Sequence, residues 1–400
     1  MGRFRLLPDP EQAAVLAEHC QHARFVWNLA VEQQRHWQPG RQAPGYNEQC
    51  AQLTAARAEY GWLAAGSQTV QQQVRDFAQA MRNFFGGTHR RPTWRKAGKH
   101  EGFRQVGLKP RHIQRLNRRY GNVWIPKVGW VRFRWTRAIA HTVKSYRVTL
   151  DCSGRWHIAF AAVPGPIAGP GDGSVVGVDR GVAVSAALSS GERLRAPGLR
   201  AGETKRLHKL QQRLARAQHG SHRRVRTKLA IAKLRARDTD RRRDWVEKTT
   251  TDLARRFDTI KVEDLKVRAM TRSARGTPEC PGTRVAQKRG LNREISRQGW
   301  GLLVARLQHK ALGRVEIVPA AYTSQRCSHC GHVAPENRKS QAVFQCVACD
   351  AGSCNADVNA ARNIAAGRAV TAREDLGTGR SANREPQLSS PARQGWNPPA

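Results

Sequence analysis

Apolar residues first recur along this chain at helical spacing and then change to alternation, and that change marks its first internal boundary. Phe4–Leu7 is a short extended run stopped by Pro8. Asp9 followed by Pro10 is a helix-start signal, a capping side chain before a first-turn proline. From Glu11 onward Ala14, Val15, Ala17, Phe25, Val26, Leu29 and Ala30 keep a helical period. Further helices are expected at about 46–60 and 67–85, the second with Val70, Val74, Phe77, Ala78 and Met81 on one stripe, and together they predict a small bundle. From about Gly102 the segments 103–110, 123–126, 131–135, 143–150 and 156–163 read as strands with turns between. Val131–Arg137 alternates apolar residues with Arg, so one face is expected in a core and the other to be a row of guanidiniums suited to a phosphate backbone.

The Pro- and Gly-rich stretch 164–173 predicts a linker. Ser174–Arg180 and a second run ending at Leu188 then read as strand, turn, strand, with Asp179 among valines. The residues leave two readings of Asp179: a carboxylate on a buried strand, which needs a partner or a metal, or an acid in the turn of a hairpin. Residues 205–245 predict two very basic antiparallel helices about a break near Gly220, with Arg241, Arg242 and Arg243 preceding another helix through Leu253. Asp258–Leu265 reads as a strand with Ile260 and Val262 on one side, Lys261 and Glu263 on the other, and Glu263 at its end. Residues 270–290 predict a mobile polar loop, 291–312 a helix and 315–318 a strand. From about 373 to 400 the composition predicts disorder.

Charge narrows the class. The 400 residues, enough for two to four domains, carry 70 Lys+Arg against 30 Asp+Glu, a formal charge of +40. A surface so self-repelling implies a polyanionic partner, and nucleic acid is the natural one. There is no long apolar span, no lipidation motif and no recognisable signal peptide, which argues against a membrane protein.

Cysteine spacing adds a metal. Cys327, Cys330, Cys346 and Cys349 form two C-x-x-C knuckles at a separation that lets four thiolates close tetrahedrally on one zinc ion. Cys20, Cys50, Cys152, Cys280 and Cys354 show no paired framework, so a reducing cytoplasm is expected. Asp357, eight residues after Cys349, opens an Ala-rich helix. Asp179, Glu263 and Asp357 thus each lie on or beside a regular element. Phosphodiester hydrolysis gives a reason to link them: it needs an activated water and relief of charge on the leaving oxygen, which two divalent ions about 4 Å apart supply, held by carboxylates.

The stretches V-G-V-D-R-G, K-V-E-D-L, L-N-R-E-I-S-R-Q-G-W, Y-T-S-Q-R-C-S-H-C-G and N-A-D-V-N-A-A-R-N-I resemble the OrfB/TnpB family encoded in insertion sequences. The opening R-F-R-L-L-P and the later H-A-R-F-V-W-N-L-A are similar to that family's N-terminus, and the resemblance runs from about Arg3 to Arg368. It implies a multidomain α/β chain: a RuvC-like nuclease domain of RNase H-like fold at 174–322 and 351–370, split by a zinc ribbon at 323–350. It implies a β-barrel wedge domain at 1–8 and 102–163, a helical, helix-turn-helix-like recognition domain at 9–101, and a tail at 371–400. Asp179, Glu263 and Asp357 match the family's three catalytic acids, which hold magnesium. Asp264 competes with Glu263 for the middle role, and both the family pattern and the strand alternation favour Glu263. The implied partners are a guide non-coding RNA and double-stranded target DNA recognised beside a short motif. A separate enzyme of the same element would perform strand transfer. The setting would be a prokaryotic cytoplasm, in association with the nucleoid.

The chain departs from the family pattern at Asp350, where Gly is usual, at Cys354, where polar residues are common, and at Arg180, where an apolar residue is usual. No acid or zinc ligand is lost. A nuclease-inactive guided DNA-binding repressor and a DNA-binding transposase accessory are the alternatives; intact acids argue against the first. A transposase performing strand transfer itself would need a catalytic tyrosine or another acid set, and none of the five tyrosines lies in a nucleophile motif.

Overall fold

The computed structural model describes residues 2–35, 43–64, 66–99, 101–140, 142–162 and 164–367. The tail at 371–400, residues 368–370 of the expected nuclease segment and Val163 of the last expected N-terminal strand lie outside the described residues. The chain forms two compact units. One takes the residues up to Pro166 with Pro197–Trp245; the other takes Ile167–Ala196 with the described residues from Val246 on.

In the first unit β1 (Gly2–Leu7) leads into α1 (Pro10–Arg35). Asp9 caps this helix as its sequence suggests: its Oδ1 accepts from the Gln12 N–H at 2.8 Å, and Gln12 Oε1 accepts from the Asp9 N–H at 3.2 Å. Three more helices follow: α2 (Tyr46–Glu59), α3 (Gly61–Ala64) and α4 (Ser67–Phe85). α1 is a spine with two duties. Leu16, Cys20 and Ala23 enter the core of a sheet, whereas Val26 meets Leu53, Val70 and Val74, and Ala30 meets Phe77 and Met81. The apolar stripe expected on α4 is therefore core.

That sheet has seven strands. Added to β1 are β2 (Glu101–Val106), β3 (Ile113–Arg115), β4 (Tyr120–Ile125), β5 (Gly129–Arg134), β6 (Ser145–Leu150) and β7 (Trp156–Phe160). The order is β2-β6-β7-β1-β5-β4-β3 and every ladder is antiparallel, with β2 and β3 at opposite ends. β1 divides itself, pairing Gly2–Arg5 with β7 and Leu6 and Leu7 with β5. Val131 and Phe133 are buried while Trp130, Arg132 and Arg134 are exposed, as the alternation requires. No acid occurs between Glu101 and Asp151, so this face carries its guanidiniums without an acid from its own segment.

α5 (Ala201–Arg216) and α6 (His222–Arg256) are both strongly basic. α6 runs unbroken for 35 residues, so Arg241, Arg242 and Arg243 lie inside it, where the sequence pattern suggested that they precede a new helix. Arginine is a good helix former, and acids nearby absorb the charge: Arg242 pairs with Asp238 at 2.5 Å and Arg241 with Glu203 of α5 at 2.6 Å.

The second unit is built on β8 (Val175–Asp179), β9 (Ala186–Leu188), β10 (Arg193–Leu194), β11 (Thr259–Glu263) and β12 (Val315–Val318), in the order β10-β9-β8-β11-β12. β8, β11 and β12 are parallel; β9 and β10 add antiparallel strands at one edge. Between β11 and β12 lie α7 (Val267–Met270), α8 (Val285–Gln298) and α9 (Trp300–Lys310). The helix expected at 291–312 thus starts earlier and is broken at Gly299, whose φ of +70° ends α8 and starts α9 in a conformation that favours glycine. A hairpin of β13 (Val343–Gln345) and β14 (Ser353–Asn355) precedes α10 (Ala356–Ala366). Among the described residues no helix is long and apolar enough to cross a membrane.

α10 lies directly on β8. Ala360 and Ala361 are buried, Ala356 packs with Cys327, Phe344 and Cys346, and a Cβ built on Gly177 would come 2.0 Å from the Ala361 carbonyl oxygen and 2.4 Å from the Ala365 nitrogen. Only glycine lets strand and helix backbones approach so closely. Gly177→Ala is therefore expected to destabilise the protein by about 3 kcal/mol or more, at or beyond the upper end of ordinary overpacking, because backbone and not a side-chain tip is in the way. Thermal unfolding checks this; an unchanged midpoint would show that the helix can retreat at no cost.

Candidate active site and cysteine cluster

The strand register brings two of the expected acids side by side. Val262 pairs with Val178 across the parallel β8–β11 ladder, so Glu263 and Asp179 come next on adjacent strands, at their C-terminal ends. Asp179 pairs with Ala187 of β9, which puts it on the strand and not in the following turn. Two residues before it, Gly177 faces α10, so alternation turns Asp179 to the same side, and the parallel register brings Glu263 there with it. Asp357 lies in the first turn of α10, whose N-cap Asn355 accepts from the Val358 N–H at 3.2 Å. A helix N-terminus favours a carboxylate there.

The electrostatics report the convergence. Burial pushes the Asp179 carboxyl up to about 7, and the charges of Glu263 and then Asp357 push it in the same direction; Arg338 and the Arg180 N–H act against them. Glu263 is buried, and its Oε1 accepts from Thr323 Oγ1 at 2.6 Å. Asp264 is exposed, one residue beyond the strand. Glu263 is buried and Asp179 and Asp357 are partly buried; crowded carboxylates of this kind are costly as bare charge, and as hard oxygen ligands they fit magnesium chemically. Among the described residues the three acids do not form as tight a group as the four cysteines.

Three further side chains lie beside the acids, and the sequence marks only one of them, Arg180, by its departure from the family pattern. Arg338 stands 3.8 Å from Asp357, and nothing distinguishes it among 70 basic residues. Thr323 was visible only as part of a longer motif. Arg180, which departs from the family pattern, is buried; its Nη2 donates to the Glu263 carbonyl and its Nη1 to the Trp300 carbonyl at 3.5 Å. Its cation is thereby placed behind the acid cluster.

Cys327, Cys330, Cys346 and Cys349 bring their sulfurs within 4.8 Å of one another. The Cys327–Cys349 and Cys330–Cys346 separations are 3.8 and 3.6 Å. A tetrahedron with metal–sulfur bonds of about 2.3 Å has edges of about 3.8 Å, so this cluster could hold a zinc ion. Without a metal the crowded thiols share their protons unequally: burial raises Cys346, but the Ala348 N–H and neighbouring sulfurs outweigh it and hold it at about 7, while the neighbouring sulfurs push Cys349 up to about 12 and Cys330 is raised as well. Cys354 packs beside the cluster but is not one of the four converging sulfurs.

With the geometry in hand, the kinship of the chain is plain. Family models match at 2–40 (a helix-turn-helix domain), at 161–274 (described as a probable transposase) and at 300–364 (a Cas12f1-like TNB domain). The chain is 36% identical over 396 residues to the "Putative RNA-guided DNA endonuclease InsQ" of Escherichia coli (strain K12), covering 96% of each chain. It is 30% identical over 410 residues to a protein of the same description from Streptomyces pristinaespiralis, covering 97% of this chain and 96% of that one. The chain belongs to the OrfB/TnpB family. In fold it is similar to Cas12f1 as solved in complex with sgRNA and target DNA, with a TM-score of 0.54 at 14% identity over 89% of this chain and 83% of that one.

Two outcomes are expected from this geometry. In metal-free protein Asp179 binds its proton more tightly folded than unfolded, so its contribution to stability is complete below the ordinary 3.8 and is lost as pH rises through about 7. Asp179→Asn should remove that part of the pH slope, so that its advantage in thermal midpoint over the unsubstituted protein grows across this interval and then levels off. Parallel pH–stability curves would contradict the burial and repulsion assigned to Asp179. Secondly, Cys346→Ser should lower both zinc content and thermal midpoint; unchanged metal content by mass spectrometry would reject the cluster as a zinc site.

Proposed function

We propose that this chain is an RNA-guided DNA endonuclease that cuts double-stranded DNA at a magnesium site formed by Asp179, Glu263 and Asp357. The observation that carries this reading is the meeting of three acids, two at the ends of adjacent parallel strands and one at a helix N-terminus, in a chain of net charge +40. The printed names of its relatives, RNA-guided DNA endonucleases, agree with it.

Magnesium ions held there would activate a water for attack on phosphorus and neutralise charge on the leaving oxygen. The protein's own groups do the rest. Asp179, its carboxyl pushed up to about 7 by burial and by its acid neighbours, would give up a proton on holding a cation. Arg338, 3.8 Å from Asp357, would meet a phosphate oxygen of a bound substrate. Arg132 and Arg134 on β5 and the basic faces of α5 and α6 suit the backbones of guide and target, which they hold without reading sequence. Sequence is read by base pairing with the guide, and the protein reads only a short flanking motif.

In this reading the nuclease domain is RuvC-like, of RNase H type, at 174–322 and 351–370, with zinc held by the four cysteines of a ribbon at 323–350. The sheet strands of 1–8 and 102–163 form the wedge, and 9–101 the recognition domain. Strand transfer is left to a separate enzyme of the element.

The test uses full-length protein purified from cells that carry its own element, with its co-purifying RNA, and a plasmid holding a matching target beside a randomised flank. Cleavage should require magnesium and fall by at least about a thousandfold in Asp179→Ala, with binding retained. Binding without cleavage by the unsubstituted protein would instead support a guided repressor, and cleavage undiminished in Asp179→Ala would remove the acid from the mechanism.

A further inference from the structure

A hydroxyl of the ribbon reaches the acid site at Glu263. Thr323, buried at 3% exposure, donates from Oγ1 to Glu263 Oε1 at 2.6 Å; its other possible acceptor, the Ala320 carbonyl, is more distant at 3.2 Å. A hydroxyl has one proton to give, and the nearer, charged oxygen is the stronger acceptor. Thr323 stands four residues before Cys327.

The short segment between them is stiff. Tyr322 adopts a left-handed φ of +59°, unusual for a non-glycine residue, and its carbonyl accepts from the Gln325 and Arg326 N–H groups at 3.0 and 2.9 Å. Two buried asparagines of α10, the helix that also carries Asp357, fasten it. Asn363 Nδ2 donates to the Thr323 and Arg326 carbonyls at 2.9 and 2.8 Å. Asn359 grips both sides of Cys327, donating to the Arg326 carbonyl at 2.7 Å and accepting from the Ser328 N–H at 2.9 Å. A movement of Cys327 therefore acts directly on the segment that ends at Glu263. These groups are too buried to exchange their partners for water at little cost.

We propose that Thr323 is a positioning residue through which the cysteine ribbon sets the carboxylate of Glu263, so that closure of the four cysteines on their metal strengthens cation binding at the acids. This rests on the reading of Asp179, Glu263 and Asp357 as the cation site. The two metal sites are then thermodynamically coupled, and the coupling is reciprocal: a cation at the acids also strengthens retention of the ribbon metal.

The test measures Mn2+ binding to the full-length protein by electron paramagnetic resonance of free Mn2+. The Asp179-dependent part is taken as the difference from Asp179→Ala. Thr323→Val should weaken that part by about tenfold or more, the scale of one charge-assisted hydrogen bond, with zinc content unchanged, and Thr323→Ser should restore it. Stripping the ribbon zinc should weaken Mn2+ binding in the unsubstituted protein and much less in Thr323→Val, the non-additivity expected of one shared path. Should zinc removal unfold the chain, the zinc-loaded valine and serine variants decide. Equal Mn2+ affinity in the unsubstituted protein and zinc-loaded Thr323→Val overturns the coupling and leaves the acid site standing. Absence of any Asp179-dependent Mn2+ binding in the unsubstituted protein overturns the acid site as well, so the two failures are distinguishable.

Discussion

The close seating of α10 on β8 is the constraint from which the rest follows. At Gly177 the two backbones approach to a distance that leaves no room for a Cβ. That approach fixes where the N-terminus of α10 falls, and with it Asp357, relative to the ends of β8 and β11. The backbone of Ala361 and Ala365 lies against Gly177, and the buried Ala360 and Ala361 keep the helix slim where it packs. Acids far apart in sequence thus come near one another through a main-chain contact, and Asp179 shows the cost: its carboxyl is raised by burial first and by the charges of Glu263 and Asp357 next.

Around that contact the chain spends its few acids unevenly. Many of the 30 Asp and Glu side chains form ordinary ion pairs with Arg, such as Glu101 with Arg24, Asp238 with Arg242 and Glu203 with Arg241. Asp179 differs in the direction of its shift: burial first, then the charges of Glu263 and Asp357, push its carboxyl up, with Arg338 and the Arg180 N–H acting against them. Residual repulsion of this kind is the physical signature of groups arranged for a cation. In the proposed reading the surplus of cations elsewhere draws in a polyanion, and the acids decide where on it chemistry occurs.

How much of this was legible in the sequence depends on the range of the interaction that carries it. The Asp9 cap, the α4 stripe and the alternation on β5 are local, and each was readable from spacing. The knuckles were readable because a tetrahedral metal demands a fixed spacing, and the sulfurs do converge. The three acids were readable only through likeness to a family, since no periodicity links positions 179, 263 and 357. The continuity of α6 through three arginines was missed because its neutralising acids include one on another helix, Glu203. Thr323, Arg338 and the two asparagines of α10 were missed for a related reason: they matter by what they touch, and the residue types carry no mark of it.

The central claim is that three distant carboxyl groups share divalent cations, and crystals of the protein soaked in manganese test it most directly. Anomalous scattering should place manganese between Asp179, Glu263 and Asp357, as a pair about 4 Å apart when both sites fill. Manganese bound elsewhere, with these carboxylates making no contact to it at saturating concentration, would contradict the account.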